Sequence, residues 1–121
     1  MTWGRAEMAP EVVGWLLELS DDDFGFVAYH IDLLQELGPH LGDPYVRRLP
    51  GALRVLRLHL GARVYGLTHV MPASGRIALL TVLREDGPAE EADVQRALDT
   101  IQHCVTAGSL RAEEVRDLAT A

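Results

Sequence analysis

The stretch LRVLRLHLGARVYGLTHVMPASGRIALLTVLR, residues 53–84, decides the fold. Leu53 to Leu60 alternates: Leu56, Leu58 and Leu60 point one way, Arg57 and His59 the other, as in a pleated strand. Gly61 and Ala62 make a tight turn. Arg63 to Met71 is a second run, with Arg63, Tyr65, Leu67 and His69 on one face. Pro72-Ala73-Ser74-Gly75 is a turn by composition, and Ile77 to Leu83 is apolar enough for a central strand. Three consecutive strands joined by short turns predict an antiparallel meander.

The flanks read differently. Thr2 to Met8 is predicted as a first strand anchored by Trp3. Pro10 opens a helix, since its missing N–H would be unpaired there anyway. Val12, Val13, Leu16, Leu17 and Leu19 give that helix an apolar face, widened by Trp15. Ser20 caps a second helix whose first turn holds Asp21, Asp22 and Asp23. Phe24, Val27, Ile31, Leu34 and Leu37 form its stripe, and Gly38-Pro39 stops it. Residues 38–44 are a loop. Beyond the strands, Pro88 starts a helix with Val94, Leu98, Ile101 and Val105 inward and Ala97 beside them. Gly108 ends it, and Ser109 caps a short last helix through Leu118. The predicted fold class is α+β, an antiparallel sheet in the order β-α-α-β-β-β-α, with all helices on one face. Residues 1–108 form the domain and 109–121 a short helix or tail.

Composition narrows the function. The chain has 121 residues, 48% of them hydrophobic, which suits one domain. No apolar stretch is long enough for a bilayer and the N-terminus lacks a secretory apolar run, so the expected location is cytoplasmic, without membrane contact. The single Cys104 excludes an internal disulfide and a cysteine-based zinc site. The net charge of −7 conceals three blocks. Residues 1–44 carry nine acidic groups and one arginine; residues 45–84 carry seven arginines and no acidic group; residues 85–121 carry nine acidic groups and three arginines. All basic residues are arginine, whose planar fork grips phosphate.

Several stretches together resemble the RelE/ParE superfamily of toxins from type II toxin–antitoxin systems, in its HigB-like, phage-derived branch. They are Val13 to Asp21, Ile31 to Pro39, Pro44-Tyr45-Val46, Leu53 to Leu58, Gly66-Leu67-Thr68-His69, Ile77 to Arg84 and Glu91 to Cys104. The ordered series spans roughly residues 12 to 104. The resemblance implies an α+β domain with an antiparallel sheet cradled by helices. It implies one of two activities: ribosome-dependent cleavage of mRNA, or non-enzymatic binding on the same fold, as a ParE-like gyrase inhibitor or a catalytically silent relative. It also implies a cognate antitoxin, of helix-turn-helix type, as partner, with mRNA on the ribosome as target and no cofactor. Departures from the branch pattern fall at Leu56, at Gly66 and His69, and at Glu85-Asp86-Gly87, where relatives stay basic.

Metal-free RNA cleavage needs a base, a cation beside the developing phosphorane charge, and an acid. Arg57 and Arg84 are the candidate cations, and His69 the candidate acid or base. Tyr65, two pleats from His69 along one strand face, suits a stacked base or a phosphate. Arg54, Arg63 and Arg76 suit backbone phosphates. Arg47 and Arg48 are read as solvated loop residues, His30 and His103 as surface residues. His59, His69 and His103 lack metal-ligand spacing, and no metal is expected.

Overall fold

The computed structural model describes residues 2–85 and 90–111. In chain order the elements are β1 (Arg5–Met8), α1 (Pro10–Glu18), α2 (Asp21–Leu37), a 3-10 turn (Gly38–His40), β2 (Val46–Arg48), β3 (Arg54–Leu60), β4 (Arg63–Val70), β5 (Arg76–Arg84) and α3 (Glu90–Thr106). The α+β class and the β3–β4–β5 meander match the reading of the sequence. Pro88 and the short helix expected after Ser109 fall wholly or mostly outside the described residues.

The local signals act where they stand. Pro10 opens α1. The Ser20 hydroxyl accepts a hydrogen bond from the Asp23 backbone N–H at 3.2 Å, supplying a partner that the first turn of α2 lacks. Ser20→Ala is expected to lower stability by about 1 kcal/mol, read as a shifted urea midpoint with an unchanged slope. Gly38 ends α2 at φ 54°, its N–H donating to Leu34 O.

The five strands lie in the order β1-β5-β4-β3-β2. The neighbours β2–β3, β3–β4 and β4–β5 are antiparallel, but β1 runs parallel to β5, with Arg5 opposite Arg76 and Met8 opposite Leu79. The sheet is therefore mixed, not antiparallel as expected. Alternation and turn length report on strands that follow one another, whereas β1 reaches β5 from about 70 positions away. The three residues of β2 are too few to show an alternation, and Arg47 and Arg48 read as loop residues in the sequence. The first strand also starts later than expected. Trp3 lies before it, with its N–H donating to Gln35 O at 2.9 Å on the last turn of α2.

Helices cover both faces, contrary to the single covered face expected. Val12 and Leu16 of α1 and Val27, Ile31 and Leu34 of α2 bury against Leu56, Leu58, Leu67, Ile77 and Leu79. On the other face Ala97 and Ile101 of α3 pack on Val55, Val70, Leu80 and Leu83, with Leu110 beyond the helix joining them. The long apolar run of β5 follows from this, because a strand covered on both sides has no polar face to show. The registers Thr68↔Thr81 and His69↔Leu79 skip Leu80, a bulge within β5. The Thr68 and Thr81 hydroxyls pair at 2.5 Å beside it in the interior. Several residues of the expected stripes are not buried: Phe24, Leu37, Leu98 and above all Leu17, at 78% exposure, face outward.

Candidate functional site

The site begins at the far ends of β4 and β5, where Tyr65 and Arg84 are cross-strand partners. Partners of this kind share a sheet face, so Arg84 stands on the α1–α2 side with Tyr65. The guanidinium carbon of Arg84 lies 5.5 Å from the centre of the Tyr65 ring, within cation–π range. Trp15 of α1 meets Tyr65 from below, with ring centres 5.3 Å apart and planes tilted by 52°. Together with Glu11, Asp93 and Arg96 these three line a cleft of about 470 Å³.

The charged wall of the cleft has a structural task. The β1 ladder ends at Met8, leaving the edge of β5 open beyond Leu79. There the Glu11 carboxylate accepts the Val82 N–H at 2.7 Å and Arg96 donates to Val82 O at 2.7 Å. Glu11 and Arg96 also pair with each other. Two side chains thus complete the backbone bonding of the strand and tie α1, β5 and α3 together.

The other predicted site residues lie elsewhere. Arg57 pairs in register with Gly66, the neighbour of Tyr65, so it projects on the opposite, α3 side. It is half-buried, and its Nε has no hydrogen-bond partner among the described residues. His69 is completely buried. Its Nδ1 lies 3.1 Å from Leu67 O, which accepts only, so the neutral ring carries its proton on Nδ1. Nε2 finds no partner among the described residues. Burial, reinforced by the nearby charge of Arg54 and only partly offset by the Leu67 bond, lowers the His69 pKa to about 4. The ring is enclosed and neutral at pH 7. The sequence leads one to expect an acid or base here; the fold encloses the ring. The three candidate catalytic groups do not converge: Arg57 is on one face, Arg84 on the other, and His69 is inside.

Two arginines of the block are held by carboxylates. Arg76 pairs with Glu7 at 3.2 Å and donates to Ser109 O at 2.8 Å. Arg47, expected in a solvated loop, stands in β2 and bonds Glu85 and Glu90. Burial, and after it repulsion from its cross-strand partner Arg48, lower the pKa of Arg54. Arg63 is exposed where β4 begins. His59 is exposed on the Arg57 side of β3, and His103 is exposed on α3, so the three histidines do not gather.

Sequence reasoning passed over Trp15, Glu11 and Arg96. Trp15 carries only a packing signal in the sequence, and nothing there sets Glu11 and Arg96 apart from the other charges. A second cleft of about 500 Å³ separates β1 from the end of α3, with Met8, Ala78, Leu80, Cys104 and Leu110 in its walls. Burial, then the charge of Glu7, raise the Cys104 pKa, which disfavours the reactive thiolate. No protein-family model matches the chain, and no curated protein matches it.

Proposed function

We propose that the chain is a toxin-like protein of the RelE/ParE kind that holds RNA without cutting it, and that an antitoxin is its partner. The observation that carries this reading is the separation of Arg57, His69 and Arg84 described above. In-line cleavage needs its acid, base and cation around one phosphate. What does assemble is a binding constellation: the Trp15–Tyr65 aromatic pair for a base, with Arg84 beside it for the adjoining phosphate.

In a purified translation reaction, transcripts are expected to remain intact in the presence of the protein. Its affinity for a short unpaired RNA is expected to fall about tenfold in Tyr65→Ala and in Arg84→Ala, and to be unchanged in His69→Gln. Cleaved transcripts whose cleavage disappears in Arg57→Ala would overturn the reading.

A further inference from the structure

Gly66 occupies the middle of the α3 face of β4. A Cβ placed there would lie 2.4 Å from Val55 Cγ1, 3.0 Å from Leu83 Cδ1 and 3.3 Å from Glu85 Oε1. The room that a side chain at 66 would need is already taken, in part by a carboxylate. The Glu85 side chain is only 7% exposed, uncommon for a glutamate. Both of its oxygens accept from Arg47 Nε, at 3.0 and 3.1 Å, while Arg47 Nη1 donates to Glu90 at 2.9 Å. The bond to Glu85, more than any other interaction, raises the Arg47 pKa.

Arg57 belongs to the same patch. It is opposite Gly66, and Arg47 is opposite Val55, so the two arginines are diagonal neighbours on one face of β2 and β3. Arg57 differs in one respect: its buried Nε has no acceptor among the described residues. A guanidinium N–H in that state lacks the bond that makes its burial tolerable. Arg57 thus shares its sheet face with the Arg47–Glu85 pair, and Glu85 Oε1 lies beside Gly66, the residue opposite Arg57.

We propose that Arg47 and Arg57 form a phosphate-binding site whose ligand position is held by the protein's own Glu85. Carboxylate and phosphate fit the same fork geometry, so one replaces the other without rebuilding the site. A phosphate displaces Glu85 from Arg47 and gives Arg57 Nε its missing acceptor. The site lies on the opposite face of the sheet from Tyr65 and Arg84 and is independent of the RNA-holding role assigned to them.

The test is titration calorimetry at low ionic strength with two probes, inorganic pyrophosphate and a short unstructured oligoribonucleotide. Glu85→Ala and the volume-conserving Glu85→Gln are expected to bind at least one probe about tenfold more tightly than the unaltered chain. Adding Arg57→Ala to either variant is expected to abolish the gain, and adding Tyr65→Ala to leave the gain with pyrophosphate intact. Glu91→Gln changes net charge equally at an exposed position in the first turn of α3, and is expected to stay within about twofold of the unaltered chain. A gain with pyrophosphate assigns the site to an isolated phosphate, and a gain with the oligoribonucleotide alone assigns it to the phosphates of a strand. Affinities unchanged for both probes, or a gain that survives Arg57→Ala, would overturn the proposal.

Discussion

A Gly38→Ala chain is expected to be less stable by about 3 kcal/mol or more, which for a domain of this size lowers the melting temperature by roughly 10 °C. Two costs coincide at this position. The first is conformational. Gly38 has φ 54° and ψ −129°, a combination outside the regions open to residues with a Cβ. The second is steric. A Cβ at Gly38 would lie 2.3 to 2.7 Å from three atoms of the Trp3 ring, which is packed against the α1–α2 core.

The ring has little freedom to yield. The backbone N–H groups of Trp3 and Gly4 both donate to Gln35 O, holding the N-terminal segment on the end of α2. Relief of the clash therefore requires movement of the segment that leads into β1. Gly14→Ala is the control. Gly14 is within α1 and nothing lies within 4 Å of the Cβ it would gain. That substitution is expected to stabilise the chain by about 0.5–1 kcal/mol through helix propensity. Thermal melts of the two variants, moving in opposite directions, check the argument. Equal melting temperatures would refute it.

Acid is expected to destabilise the protein by up to about 3 kcal/mol through His69 alone. The sign follows from the two states. In the fold the ring has a pKa of about 4, and in the unfolded chain it has the ordinary value of 6.5. Between those values the unfolded state binds the extra proton, so stability rises with pH across this window. The contribution is fully present above about pH 6.5 and is lost as pH falls through about 4. Carboxylates titrate near the lower limit as well, so the difference between two chains isolates the histidine.

His69→Leu removes the titrating ring, with the Nε2 that has no partner among the described residues, while keeping a similar volume. Urea denaturation near pH 7, 5 and 4 is expected to show the unaltered chain losing about 3 kcal/mol more than His69→Leu over the range. A difference between the chains that does not change with pH would sink the account. The same measurement bears on function. A ring that resists protonation this strongly is a core residue, which is why His69 has no part in the proposed binding site.

Much of the chain was legible from its residues because the relevant physics is local. A proline without an N–H opens α1, a hydroxyl caps α2, and a glycine with positive φ ends it. Gly61 and Gly75, at φ 62° and 81°, make the turns of the meander. These signals act within a few residues and depend little on what packs against them. The Tyr65–Arg84 pair was half legible: both residues were singled out, but their adjacency needed the β4–β5 register.

Tertiary structure decided the rest. The alternation along β4 shows that Tyr65 and His69 share a face; it does not reveal that the fold leaves Tyr65 at a cleft and encloses His69 completely. Nor does alternation within β3 relate Arg57 to Arg84 on β5, since relative facing between strands exists only once the register is set. The parallel pairing of β1, the second covered face and the Arg47–Glu85 contact all join residues distant along the chain. The sequence by itself determined where the helices and the meander strands form, and that the middle third is cationic. Long-range packing determined which of those cations meet an internal carboxylate and which face a cleft, because burial and charge pairing depend on neighbours that only the folded chain supplies.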